Sequence, residues 1–206
     1  METTYSQSKE DLFVLNYFGD YRGRLLDVGA NDGTTFSNSR LLIENGWGAN
    51  LVEPGSVFKE LHKLYKENPN VELSHCGIGL KTGFVKFWDS GAHVKNGKDT
   101  GLVSTLNFDE TKRWDGVEFN ETTASIMSFD DFYKCSSEPT FDFISVDCEG
   151  NDWIVLQQID LDKVACRCLC IEHNGDEKLL FLYRRYCDKF DMREVLINGE
   201  NIIFVK

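Results

Sequence analysis

Two groups of acids in this sequence have the residue types and spacing to do chemistry. The first surrounds a glycine turn, Leu25-Leu26-Asp27-Val28-Gly29-Ala30-Asn31-Asp32-Gly33, and returns in Leu51-Val52-Glu53-Pro54. The apolar run before Gly29 reads as a buried parallel strand, and Gly29 and Gly33 let the backbone turn sharply beside a ligand. Glu53 stands 26 positions after Asp27, at the end of the next apolar run, where a carboxylate accepts hydrogen bonds from both hydroxyls of a ribose. The second group closes two later runs: Asp147-Cys148-Glu149-Gly150-Asn151-Asp152 and Glu172-His173.

The glycine spacing selects among nucleoside ligands. A pyrophosphate needs G-x-G-x-x-G so that it can approach backbone amides at a helix N-terminus, whereas the glycines here are spaced G-x-x-x-G. Asp27, Asp32 and Glu53 would repel a pyrophosphate. They suit a ligand with an ammonium, a sulfonium and a free ribose, which describes S-adenosyl-L-methionine (SAM) rather than NAD. The competing view takes Asp32-Gly33 as a plain turn and Glu53 as a solvated strand end, and the two elements occurring together count against it.

Methyl transfer from a sulfonium is an in-line displacement, so the protein must align the partners and accept a proton from a hydroxyl acceptor. His173, with an ordinary pKa of about 6.5, is the natural base, and a carboxylate serves if burial or neighbouring acids raise it. Asp147, Glu149, Glu172 and His173 are the candidate catalytic residues; a satisfied structural histidine is the competing reading for His173. Asp152 opens a helix and is read as a cap. The same acids are able to hold Mg²⁺ and orient two sugar hydroxyls, but a metal-free site is expected. After the third strand, Cys76 and the small Gly77 leave room for an adenine, and His75 beside them reads as structural.

The elements that must position these groups alternate along the chain. Strands are expected at 24–29, 48–53, 70–76, 141–147, 167–172, 192–197 and 201–206, and helices at 8–18, 35–45, 55–67, 151–159 and 177–189, the third carrying Val57, Phe58, Leu61, Leu64 and Tyr65 at helical spacing. This predicts an α/β fold with a mostly parallel seven-stranded sheet and helices on both faces. Asn198-Gly199 between two apolar runs marks a hairpin, so the C-terminal strand runs antiparallel. Residues 1–206 are expected to form one domain, with a cap helix within 1–20 and an irregular substrate lid over 90–120.

Composition narrows the partners. A formal charge of −12, from 22 basic and 34 acidic residues, disfavours nucleic acid, whose affinity rests on Lys and Arg. The apolar runs are far short of the ~20 residues of a membrane span, and the opening residues show no signal-like pattern; a soluble, cytoplasmic protein is expected. Seven cysteines without a C-x-x-C pair argue for reduced thiols, and Cys166, Cys168 and Cys170 alternate as core residues on one strand face would.

Taken in order, Tyr5-Ser6-Gln7 with Glu10-Asp11, the Asp27–Gly33 turn with Phe36-Ser37-Asn38, Gly46-Trp47 before Val52-Glu53-Pro54, and Asp147-Cys148-Glu149-Gly150 resemble the FkbM-family SAM-dependent methyltransferases. The resemblance implies a Rossmann-like class I methyltransferase fold and O-methylation of a hydroxyl on a sugar, glycan or other small acceptor. It implies that Asp27, Gly29, Ala30, Asn31 and Gly33 form the cofactor turn, Glu53 with Pro54 the ribose clamp, and Asp147 the wall near the methyl group. Gln7 and Ser37 would close over the methionine end. Cys148 departs from the aliphatic residue common in the family, and Asn151-Asp152 sits in a slightly different context.

Three other readings have distinct signatures. A non-catalytic SAM-binding module would not need the acids at 147, 149 and 172. An RNA 2'-O-methyltransferase needs a Lys-Asp-Lys-Glu set and a basic groove, and the strand ends here carry acids without partner lysines. An NAD-linked oxidoreductase needs the other glycine spacing.

Overall fold

The computed structural model describes residues 3–91 and 101–206. Seven strands form one sheet in the order β3-β2-β1-β7-β8-β10-β9: β1 (Arg24–Val28), β2 (Gly48–Val52), β3 (Val71–Ser74), β7 (Phe143–Val146), β8 (Cys168–Glu172), β9 (Arg193–Ile197) and β10 (Asn201–Val205). All seven coincide with the expected apolar runs. β1 pairs in parallel with both β2 and β7, and β10 is antiparallel to both β8 and β9. Asn198 closes the last hairpin, its Oδ1 accepting from the amides of Glu200 and Asn201 at 2.9 and 2.7 Å.

Alternation sends successive side chains of each strand to opposite faces. Leu26, Val28, Ile144, Val146, Leu169 and Ile171 pack on one side with α5 (Asp152–Leu156) and α6 (Glu177–Asp188). Leu25, Ala49, Leu51, Phe143, Cys168 and Cys170 pack on the other with α1 (Glu10–Phe18), α2 (Arg40–Glu44) and α3 (Phe58–Tyr65). Cys166 departs from the expected single face. It precedes β8, next to Ala165 at φ +58°, and joins the opposite core layer.

Helix ends follow local chemistry. Asp176 caps α6, accepting from the Lys178 and Leu179 amides, as an N-cap carboxylate should. α1 is pinned to the β9–β10 hairpin, at the carboxyl edge of β8, by buried Glu10, whose Oε1 accepts from the side chains of Asn198 and Asn201 at 2.7 and 3.0 Å. α2 is shorter than the expected 35–45, because Phe36 takes the left-handed φ of +53° and is held in a bridge to Ser6. Leu64 in α3 remains exposed, whereas Leu61 and Tyr65 are buried as expected.

The stretch from Phe84 to Thr122 is more regular than its sequence suggests. β5 (Gly83–Ser90) and β6 (Phe119–Met127) pair antiparallel, and with β4 (Gly77–Ile78) they make a second, three-stranded sheet. β6 leads into α4 (Phe129–Cys135), capped by Ser128. Part of the expected lid, 92–100, lies outside the described residues. The rest carries a short 3₁₀ turn, Glu110–Arg113. No helix among the described residues is long and apolar enough to cross a membrane.

Candidate active site

The chain leaves β1 toward β2 and β3 on one side and enters β7 and β8 on the other, so the carboxyl ends of β1 and β7 flank the point where the sheet reverses its winding. Open parallel sheets hold ligands there. A cleft of about 820 Å³ including its mouth occupies this position, lined by Asp27, Gly29, Ala30, Asn31, Ser37, Glu53, Pro54, Gly77, Asp147 and Glu149, all expected site residues.

The glycine turn is held from two sides. Gly29 and Ala30 donate to the Val52 carbonyl at 2.9 and 3.1 Å, and Asp147 donates to the Val28 carbonyl at 3.0 Å. Glu53 stitches the turn to β2: Oε2 accepts from the Asn31 amide at 3.0 Å and Oε1 from the Gly55 amide at 2.6 Å. Its pKa is pushed up to about 7 by burial, with those two amides pulling the other way. Asp27 lies across the cleft floor from Ser145 in register. Burial raises it to about 6, opposed by hydrogen bonds from Ser39 and Ser145.

Beyond β7 the backbone makes a strained turn. Glu149 has φ +46° and Gly150 φ +91°, and a left-handed non-glycine residue of this kind is found where surroundings over-determine it. Asp152 does so here. Its Oδ1 accepts from the Cys148 amide at 2.8 Å and its Oδ2 from Gly150 at 3.1 Å, so the carboxylate caps the loop before α5. Asp147, half-buried, is raised to about 8 by burial and then by Asp152, Asp27, Glu10 and Glu53. Burial also holds Glu149 and Glu172 well above the carboxylate range, with neighbouring acids reinforcing it.

Glu172 and His173 line an adjoining cavity with Glu110, Arg113, Gly150 and Asp152. The Gly175 amide donates to His173 Nδ1 at 2.9 Å. Nδ1 therefore keeps its lone pair, and the neutral ring carries its proton on Nε2. That Nε2 is buried without a hydrogen-bond partner among the described residues. The imidazole thus presents a donor, rather than a lone pair, to the cavity.

Three expected site residues, Gln7, Gly33 and Cys76, sit outside these linings or behind them. Gln7 is exposed, next to the Ser6–Phe36 bridge. Gly33 packs beneath α3, where a Cβ would stand 2.7 Å from Leu61. Cys76 is buried in the core, and His75 stacks on Phe58 at 4.3 Å. Other cleft residues were not singled out from sequence: Asn38 and Ser145, joined at 3.2 Å, and Leu102, Ser104 and Leu106 from the expected lid. Thr105 ties that segment to the site by donating to the Glu149 carbonyl at 2.7 Å.

Among curated proteins no sequence matches this chain. Among solved structures, an FkbM methyltransferase from Methylobacillus flagellatus KT superposes with a TM-score of 0.59 at 16% identity, covering 91% of this chain and 44% of that one. This chain thus spans less than half of that protein. The precorrin-6y C5,15-methyltransferase of Geobacter metallireducens GS-15 gives 0.51 at 10% identity, covering 100% and 91%. The N-terminal domain of human METTL16 gives 0.51 at 12%, covering 99% and 70%. These neighbours share the class I methyltransferase fold. The model of the methyltransferase FkbM domain matches residues 27–190, from Asp27 on the cleft floor to the far end of α6, and on that match the chain belongs to the FkbM methyltransferase family.

Proposed function

We propose that this chain transfers a methyl group from SAM to a hydroxyl of a sugar, glycan or other small-molecule acceptor. The observation that carries the reading is a switch-point cleft with buried Asp27 and Glu53 on its walls and, among its described lining residues, neither Lys nor Arg. Such a cleft favours a cationic nucleoside and opposes a phosphate-bearing one. When bound, SAM supplies an electrophilic methyl on a sulfonium. Glu53, with Pro54 beside it, would hold the ribose; Gly29, Ala30 and Asn31 would bring backbone against the ligand, Ser37 would border the methionine end and Gly77 the adenine. Gln7, Gly33 and Cys76 contribute by shaping the segments around it.

The acceptor enters from the adjoining cavity. The Nε2–H of His173 would donate to the acceptor oxygen, and a carboxylate of Glu149 or Glu172, kept basic by burial, would take the proton of the hydroxyl that accepts the methyl group. Asp147 lines the cleft and has a carboxylate oxygen within 4.8 Å of those of Asp152 and Glu172 on the adjoining cavity. The segment 101–106 covers the cleft as part of a substrate lid over 90–120, and 1–20 forms a cap, so that 1–206 acts as one catalytic domain. Incubation with radiolabelled SAM and a panel of mono- and oligosaccharides tests this: label in a neutral acceptor hydroxyl supports it. Failure of SAM to bind by calorimetry, or saturable binding of NAD in its place, overturns it.

A further inference from the structure

We infer that Asp147, Asp152 and Glu172 form a binding site for a divalent, oxygen-preferring cation of the Mg²⁺ or Mn²⁺ class, beside the proposed cofactor cleft. One carboxylate oxygen from each lies within 4.8 Å of the others. An ion with ligand distances of roughly 2.0–2.6 Å fits among oxygens so spaced. The three arrive from three separate elements: the end of β7, the first residue of α5 and the end of β8. Asp152 is already fixed by the Cys148 and Gly150 amides, the hydrogen bonding that orients a ligating carboxylate.

Charge and unmet hydrogen bonds point the same way. Glu149, a fourth carboxylate, stands beside these three but outside the trio. The one Lys or Arg among the described residues lining the adjoining cavity is Arg113, ion-paired to Glu110 at 2.6 Å and also attracted by Glu149 and Glu172, a single cation facing several carboxylates. Independently of the cluster, Glu149 is 8% exposed and its Oε2 has no hydrogen-bond partner among the described residues. This oxygen belongs to a side chain that interacts with Asp147 and Asp152. His173 is 3% exposed and its Nε2 is likewise unpartnered, on the cavity shared with Asp152 and Glu172.

A hydrated divalent ion answers both defects at once. It gives Glu149 a positive charge and offers His173 Nε2–H a water oxygen. An all-oxygen donor set without thiolate selects a hard cation, and three protein oxygens leave coordination positions for water or for two vicinal hydroxyls of an acceptor. An organic ammonium is the rival occupant. Three carboxylate oxygens gathered within 4.8 Å of one another, rather than spread along a wall, favour the metal ion.

The test uses the full chain stripped of metal and without SAM, so it is independent of the methyl-transfer reading. Mn²⁺ is titrated and followed by electron paramagnetic resonance, then displaced with Mg²⁺. The expected result is one saturable site, weakened at least about tenfold by Glu172→Gln and unchanged by Asp109→Asn, an exposed acid paired with Lys112. Asp147→Asn gives a second reading should Glu172→Gln not fold. No saturable binding up to about 10 mM, beyond the weakest ~1 mM sites, overturns the inference. So does unaltered binding in both folded variants, or thermal stabilisation by methylammonium where Mn²⁺ gives none.

Discussion

A Cβ placed on Gly29 would stand 1.7 Å from the main-chain oxygen of Asp147. The cofactor turn after β1 and the acid-bearing loop after β7 are therefore in backbone contact, and only hydrogen at Cα permits it. Gly29 also takes φ +92°, a conformation that L side chains avoid. Gly29→Ala is expected to force the two strand ends apart, costing several kcal/mol, on the order of the largest single-residue effects. Thermal melts and SAM calorimetry check it: a large drop in melting temperature with loss of binding is expected, and a stable variant of normal affinity would show that the two loops do not act together.

Glu53 spends one oxygen on Asn31 and one on Gly55. Glu53→Gln keeps the shape but turns an NH₂ toward one of those amides, at a cost of about 1–3 kcal/mol for the unmet donor. Part of that cost is offset, because the variant no longer buries an ionisable group. The expected outcome is a SAM dissociation constant raised about tenfold or more with a melting temperature changed by only a few degrees. Unchanged affinity by calorimetry would remove Glu53 from the ribose site. Asp27→Ala is expected to abolish SAM binding while the sheet stays folded.

The parts of this molecule that could be read from sequence are those whose signal is local. Leu25–Val28, Leu51–Val52 and Phe143–Val146 are continuous apolar runs because both faces of a parallel strand are covered, and Asn198-Gly199 names its own turn. β5 and β6 escaped because they form a ribbon whose polar positions, Lys86, Thr122, Thr123 and Glu121, break the apolar run; half-exposed pairs such as Lys86–Glu121 leave no such signature. The shortening of α2 depends on Phe36 pairing with Ser6, a contact 30 residues apart in sequence. The candidate acids were legible as strand-end residues. Their convergence with Arg113 was not, since the Glu110–Arg113 turn reaches Gly150 only through tertiary packing.

His173 provides a test of which group accepts the proton. Because Nδ1 receives the Gly175 amide, Nε2 carries hydrogen and is placed to donate. His173→Gln retains a donor near that position, whereas His173→Ala has none. SAM affinity is expected to be spared in both. Turnover should fall about 10- to 100-fold in His173→Ala, the scale of a lost hydrogen bond to a reacting group, and less in His173→Gln. Equal loss in both would instead identify the imidazole as the base.

The buried acids also set how stability follows pH. Asp27, Glu53 and Asp147 are raised from ordinary carboxylate values to about 6, 7 and 8, chiefly by burial. The folded chain then holds more protons than the unfolded chain between about pH 4 and 8, so the unfolding free energy falls as pH rises across that window. A tenfold gain in proton affinity on folding corresponds to about 1.4 kcal/mol at most. The ligand-free protein is thus expected to melt at a higher temperature at pH 5 than at pH 8. Asp147→Asn should flatten the upper part of that slope, because it removes the group with the highest of the three values. Bound Mg²⁺ or Mn²⁺ should flatten it as well, by stabilising the ionised carboxylates. Melting curves at half-unit steps of pH, with and without the ion, measure both effects. A melting temperature that instead climbs from pH 5 to pH 8 in the ligand-free chain would mean that these acids are ionised and already compensated in the fold.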